Sequence, residues 1–308
     1  MRLGVLDVGS NTVHLLVVDA HPGARPGPLV SHKVVLRLMR YLQPDGSISA
    51  AGVDALLASI GSLAKKAAAE GIDELLAFAT SALREAANGT ETLELIAEKT
   101  GVRLQVLTGE EEGRLTFFAV RRWLGWSAGG ILLLDIGGGS LEIARGNDEY
   151  PDVSVSVPLG AGRTTVGFLH DDPPLPAQMS ALKAHARRIL GNATEDFPLT
   201  VDPQRAIGSS KTIRSLARLA GSTTEIPGIG ERTVLRRIDL KDWVPRLASM
   251  NAVARQSLPG ITADRTFQIV AGGVVLYEAM RAFGIDELEV SPWALREGII
   301  LRYIDALD

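Results

Sequence analysis

Two aspartates, Asp7 and Asp135, stand 128 positions apart in nearly the same setting. Each closes an apolar run and opens a turn of small residues, LGVLDVGSNT at Leu3–Thr12 and ILLLDIGGGS at Ile131–Ser140. A strand that ends in Asp-x-Gly and turns through glycines or hydroxyls points several backbone N–H groups into one concavity. Such a nest suits phosphate oxygens, because its donors are fixed and glycine lets the ligand approach the backbone. The candidate phosphate contacts are therefore Ser10, Asn11 and Thr12 in the first copy and Gly138, Gly139 and Ser140 in the second. An aspartate cannot face phosphate without repulsion, so Asp7 and Asp135 are candidates to hold a divalent cation, directly or through water. Glu142 follows Asp135 on the returning strand, where two carboxylates across a tight hairpin can share one Mg²⁺.

Between the copies runs TGEEEGRL, residues 108–115, with three consecutive glutamates at the expected start of a helix. The helix dipole favours acids there, so the run serves either as first-turn stabilisation or as the source of one carboxylate projected toward the phosphate loops. Arg84, in ATSALREAAN, is either a bidentate phosphate clamp or a surface partner of Glu85. His14 lies alone on a half-buried strand and reads as structural. The five histidines show no metal-ligating spacing, and the chain has no cysteine, so any metal should sit on oxygen.

The elements that must carry these residues alternate. Apolar runs at Leu3–Leu6 and Val13–Val18 predict a hairpin, and a third strand is expected within Leu29–Met39. Helical spacing follows from Ser49, a candidate cap, to Ala69, then a strand at LLAFAT, helices at SALREA and TETLELIAEKTG, and a strand at VRLQVL. A helix from Gly109 ends near residues 127–130, which suggests domains at 1–126 and 127–308, with the last helix able to pack back on the first domain. Further helices are expected at 177–195, 209–220, 239–256, 264–283 and 294–306, and strands near 153–157, 204–208 and 287–290, with TTEIPGIGERT as a surface loop.

Length favours two domains, and 46% apolar with 22% charged residues is the balance of a globular chain. A formal charge of −4 gives no global field for nucleic acid. No apolar run spans a bilayer and the N-terminus enters a strand directly, so no membrane association and a cytoplasmic location are expected.

The repeated loops, each opening an α/β half, resemble the actin and sugar kinase superfamily. The resemblance implies two actin-like (ribonuclease H-like) domains, each a mixed β-sheet flanked by helices, with an interdomain active-site cleft. LDVGSNT, ATSALREAAN, TGEEEGRL and LLLDIGGGSLE, in this order, resemble the exopolyphosphatase and guanosine pentaphosphate phosphatase family in its short two-domain form. IGSSKTIRSLA and EVSPWALREGII match more loosely. The resemblance implies Glu112 as the residue that activates water, with Glu111 the alternative. It implies Asp135, the Gly137 carbonyl and Glu142 as Mg²⁺ (or Mn²⁺) ligands, inorganic polyphosphate as substrate, and a homodimer. Guanosine pentaphosphate or a related alarmone is a second substrate to weigh, and an actin-like kinase or ATPase, or a non-enzymatic sensor, are competing readings.

Two departures stand out. Lys211 occupies a position in GSSKT where the family commonly has glycine, adding a cation to the phosphate-binding candidates and filling space a nucleotide would need. In ADRTFQIVAG, Phe267 stands where an acid is expected.

Overall fold

The computed structural model describes residues 1–195, 197, 203–226 and 230–307. In chain order the elements are β1 (Arg2–Val8), β2 (Thr12–Asp19), β3 (Val30–Val35), α1 (Ala50–Ala69), β4 (Glu74–Ala79), α2 (Ser81–Arg84), α3 (Gly89–Thr100), β5 (Gln105–Val106) and α4 (Gly109–Leu124). There follow β6 (Ile131–Ile136), β7 (Leu141–Gly146), β8 (Val153–Val157), α5 (Ala161–Phe168), α6 (Pro176–Glu195), β9 (Arg205–Ser209), α7 (Ser210–Ala220), β10 (Ser222–Ile226) and β11 (Gly230–Arg236). The last are α8 (Arg237–Ala248), α9 (Ala252–Gln256), α10 (Ile269–Ala282), β12 (Glu287–Val290) and α11 (Leu295–Asp305).

Contacts divide the chain into two compact units, Met1–Glu112 with Leu295–Asp308, and Gly113–Ala294. The first holds a mixed sheet ordered β3-β2-β1-β4-β5, antiparallel across the first three strands and parallel thereafter. Its core joins Leu6, Val8, Val13 and Leu15 to Leu56, Ile60 and Leu63 of α1 and Ile96 of α3. Ser49 caps α1 by accepting from the Gly52 amide at 3.3 Å, and α11 returns to this unit, where the Tyr303 hydroxyl donates to Glu74 Oε2 at 2.5 Å.

The second unit holds a seven-stranded sheet ordered β10-β11-β12-β9-β6-β7-β8. Alternation along β6 divides its two faces. Leu132, Leu134 and Ile136 join the large core built with α6, α7, α8 and α10. Ile131 and Leu133, with Ala144 of β7 and Ile207 of β9, pack instead against Phe117 and Val120 of α4. This packing assigns most of α4 to the second unit. The division therefore falls at 112/113, fourteen residues before the 126/127 boundary suggested by the end of the helix.

Other expectations shift for local reasons. The helix expected at 239–256 is two, because Asn251 stops the run and caps α9 by accepting from the Ala254 amide at 2.9 Å. The helix expected from 264 starts at Ile269. The TTEIPGIGERT segment contributes β10 and β11, paired antiparallel from Ser222↔Val234 to Ile226↔Gly230, while its centre at 227–229 lies outside the described residues. Helix α5 was not anticipated.

Candidate active site

The second loop is a hairpin turn whose carbonyls are tied back. The amides of Gly160, Ala161 and Arg163, at the start of α5, donate to the carbonyls of Gly139, Gly137 and Gly138 at 3.2, 3.0 and 2.9 Å. Arg163 Nε adds a bond to the Gly139 carbonyl at 2.7 Å. With its oxygens turned toward α5, the loop leaves the amides of Gly138, Gly139 and Ser140 without an acceptor among the described residues. Glycine at position 160 permits this seat, since a Cβ there would overlap the backbone of Gly139 and Ser140.

The first loop is built in a similar way. Leu38 donates to the Ser10 carbonyl at 2.8 Å, and Leu36 and Arg37 donate to the Asn11 carbonyl at 2.9 and 3.0 Å. The Ser10 and Ser81 hydroxyls share a hydrogen bond of 3.0 Å. Asn11 is 7% exposed, and its Nδ2 has no partner among the described residues, a buried donor that an oxyanion would satisfy. Thr12 closes the turn, its carbonyl accepting from Gly9 at 3.0 Å.

Asp135 and Glu142 are directly opposed across β6 and β7, so their side chains leave the same face of the sheet. The register extends the row to Ser209 on β9 and Ser156 on β8. Ser209 donates its hydroxyl to Asp135 Oδ2, and Ser156 donates to Glu142 Oε1 at 2.9 Å. The two serines fix the carboxylates from either side, and nothing in the local sequence announced them. Ser209 leads into Ser210, whose φ of 83° lies in a region disfavoured for non-glycine residues, a strain of the kind that gathers at functional turns.

These carboxylates fit a Mg²⁺ site of one kind. Mg²⁺ keeps several waters and takes one or two carboxylates together with substrate phosphates, and the row supplies two. No three His, Asp or Glu side chains among the described residues are grouped as an all-protein cage. The Gly137 carbonyl already accepts from Ala161, which engages one of its two lone pairs and directs it to α5.

Asp7 occupies the matching strand end in the first unit, opposite His14, whose Nε2 pairs with the Ser31 hydroxyl at 2.7 Å. Burial pushes the Asp7 carboxyl above its ordinary pKa, an effect opposed by the Arg296 charge and reinforced by Glu297.

The three glutamates divide in role. Thr108 and Glu111 form a reciprocal capping box: the Thr108 amide donates to Glu111 Oε2 at 2.7 Å, and the Glu111 amide donates to Thr108 Oγ1 at 3.1 Å. Glu112 is 8% exposed and receives Arg84 Nη1 at 2.5 Å. Arg84 also donates to the Leu107 carbonyl at 2.7 Å and lies 3.6 Å from Glu85. Arg84 is thus an ion-pair partner of Glu112, a relation that a separation of 28 positions concealed.

Directly after Glu112, Gly113 lies so close to β7 and β8 that a Cβ would overlap Ser154 Oγ and stand 3.6 Å from Glu142 Cβ. Lys211 meets Asp264, its Nζ donating to Oδ2 at 2.9 Å and Oδ1 at 3.3 Å. The extra cation of GSSKT is therefore balanced by the acid of ADRTF.

Two mixed sheets flanked by helices, each opening on an aspartate-tipped hairpin whose loop carbonyls are tied back, define the two-domain actin-like class. The chain belongs to the Ppx/GppA phosphatase family, whose model matches residues 16–307. It is 49% identical over 306 residues to Exopolyphosphatase 1 of Mycobacterium tuberculosis, covering 99% of this chain and 89% of that protein. Exopolyphosphatase 1 of Mycobacterium leprae is 48% identical, covering 99% and 90%. Among solved structures, an exopolyphosphatase from Cytophaga hutchinsonii shares the fold with a TM-score of 0.85 at 23% identity, over 99% of this chain and 98% of that one. The Aquifex aeolicus Ppx/GppA family member gives 0.77 at 23% identity, over 100% and 99%.

Proposed function

We propose that this protein is an exopolyphosphatase, hydrolysing the terminal phosphoanhydride of inorganic polyphosphate and releasing orthophosphate. The observation that carries the reading is the placement of α4. Gly113, the residue after Glu112 on this helix, comes against the sheet face where Asp135 and Glu142 are paired, a Cβ at that position standing 3.6 Å from Glu142 Cβ. Nearly full-length similarity to two proteins named exopolyphosphatase supports the same reading.

In this mechanism the amides of Gly138, Gly139 and Ser140 hold oxygens of the reacting phosphoryl, and Ser10, Asn11 and Thr12 contribute amide and side-chain donors. Glu112 orients a water in line with the scissile bond and accepts its proton. Arg84 keeps the Glu112 carboxylate oriented and brings positive charge close to the phosphate. Asp135 and Glu142 would hold Mg²⁺ or Mn²⁺, which would supply charge neutralisation at the phosphoryl oxygens. The proposal extends to a homodimer working in the cytoplasm. Guanosine pentaphosphate carries the same terminal anhydride and is the natural second substrate to assay.

The test is phosphate release from short polyphosphate, long polyphosphate, guanosine pentaphosphate and ATP, each with Mg²⁺ or Mn²⁺. Fastest turnover on a polyphosphate is expected. Phosphorylation of an acceptor at the expense of ATP, or tight polyphosphate binding with no release, would instead establish a kinase or a sensor.

A further inference from the structure

Helix α4 ends in an arrangement that the catalytic proposal leaves unused. Arg121 is 2% exposed, and among the described residues the carboxylate that acts on it is Asp148, through its charge and not through a hydrogen bond. Its guanidinium donates instead to three carbonyls: Nε to Asp148 at 3.0 Å, and Nη2 to Gly129 at 2.8 Å and Gly146 at 3.3 Å. Its Nη1 is buried without a partner among the described residues, and the group lies 5.7 Å from the centre of the Phe117 ring. Desolvation lowers the Arg121 pKa, the expected response of a cation buried in this way.

Burying a guanidinium that has no carboxylate hydrogen-bonded to it is costly, and three carbonyls with the Asp148 charge offset that cost only in part. The carbonyls it gathers come just before β6, at the end of β7 and in the turn that follows. They mark the end of the hairpin opposite to Asp135 and Glu142. Next to it, Arg122 pairs with Glu149 at 2.5 Å and lies 4.9 Å from the Phe118 ring centre, and Phe118 stacks on Tyr150 with centroids 5.3 Å apart. Between the two ends, Phe117 and Val120 pack on Ile131, Leu133 and Ala144. Helix α4 is therefore pinned along β6 and β7 at both ends, by Gly113 beside Glu142 and by Arg121 beside Gly129 and Gly146.

We infer that Arg121 is a positioning residue for hydrolysis, setting the axial register of α4 on the β6–β7 hairpin and so the point at which Glu112 leaves the helix. The inference rests on Glu112 as the general base. A helix turned or slid by about 1 Å would displace the base by a similar amount, and misplacement of that size can cost up to about 100-fold in rate.

The test compares Arg121→Met with wild type in phosphate release from short polyphosphate, and repeats the comparison in a Glu112→Gln background. Arg255→Met is the control, since Arg255 is 3% exposed in the same unit and holds the Leu247 and Thr266 carbonyls and Asp172. Arg121→Met should lower kcat by about 10- to 100-fold with KM changed less than about 2-fold, and this loss should vanish when Glu112 is already Gln. Arg255→Met should lower the thermal midpoint and leave kcat within about 2-fold at temperatures where it stays folded. Should Arg121→Met fail to fold, Arg121→Lys carries the same comparison. An unchanged kcat in the Arg121 variant, or an equal loss in both Glu112 backgrounds, would overturn the inference while leaving an active wild type intact. A wild type that releases no phosphate would overturn the functional reading first, and this inference with it.

Discussion

Replacing Arg84 by methionine keeps most of the apolar stem and removes the cation from Glu112. Breaking a buried pair by deleting one partner costs about 3–5 kcal/mol when both groups are fully buried. Here the side chains are 21% and 10% exposed, so solvent screening reduces the expectation to about 2–3 kcal/mol, including the donor lost to the Leu107 carbonyl. At roughly 2–4 °C per kcal/mol, the thermal midpoint should fall by about 4–12 °C. Adding Glu112→Gln to Arg84→Met removes the carboxylate left behind. The double variant should therefore be more stable than the sum of the two single effects by about 1–2 kcal/mol. Urea or thermal unfolding of the four proteins measures this directly. A loss below about 0.5 kcal/mol for Arg84→Met, together with additivity in the double variant, would show that the pair does not bind in solution as the geometry indicates.

The remaining predictions concern neighbouring parts of the same machinery. Glu111→Ala opens the capping box and should cost about 1 kcal/mol of stability with phosphate release retained, which separates it from Glu112 when both are assayed side by side. Gly160→Ala forces a Cβ into the backbone of the second loop; it should abolish most phosphate release while circular dichroism stays native, and full activity would refute the loop's role. His185 lies 4.7 Å from the Phe168 ring and 3.3 Å from Arg188 Nη2, and burial first, then the Arg188 charge, lower its pKa below 6.5. A lowered folded pKa means that its contribution is present above pH 6.5 and lost as pH falls. His185→Gln should thus flatten the decline in urea midpoint between pH 7.5 and 5.

What the sequence displayed was mostly local. Both aspartate hairpins, the Ser49 cap and the Gly101 stop of α3, at φ 72°, could be read because strand alternation, caps and turns depend on near neighbours. Helix α5 escaped because GRTTVGF is poor in helix formers. The fold compensates locally, with the Thr164 and Thr165 hydroxyls donating to the Gly160 and Ala161 carbonyls at 2.7 Å. The pairing of β10 with β11 was hidden by Pro227 and Gly228 between the strands and by Gly230 at the start of β11.

The site followed the same division. Asp135 and Glu142 could be paired in advance because a hairpin fixes its own register. Ser209 reaches Asp135 across 74 positions, and Arg84 reaches Glu112 across 28, so neither partner has a local signature. Glu111 is the opposite case: Thr108 three residues before it is the pattern of a capping box, and it assigns that glutamate a helical duty.

The central claim is that Glu112 deprotonates the water that cleaves the terminal anhydride. Its most direct test is single-turnover phosphate release from short polyphosphate by wild type and Glu112→Gln, with binding of polyphosphate measured on both. The account predicts a rate lower by about 10²–10⁴ in the variant, with binding and fold retained. An unchanged rate would contradict it.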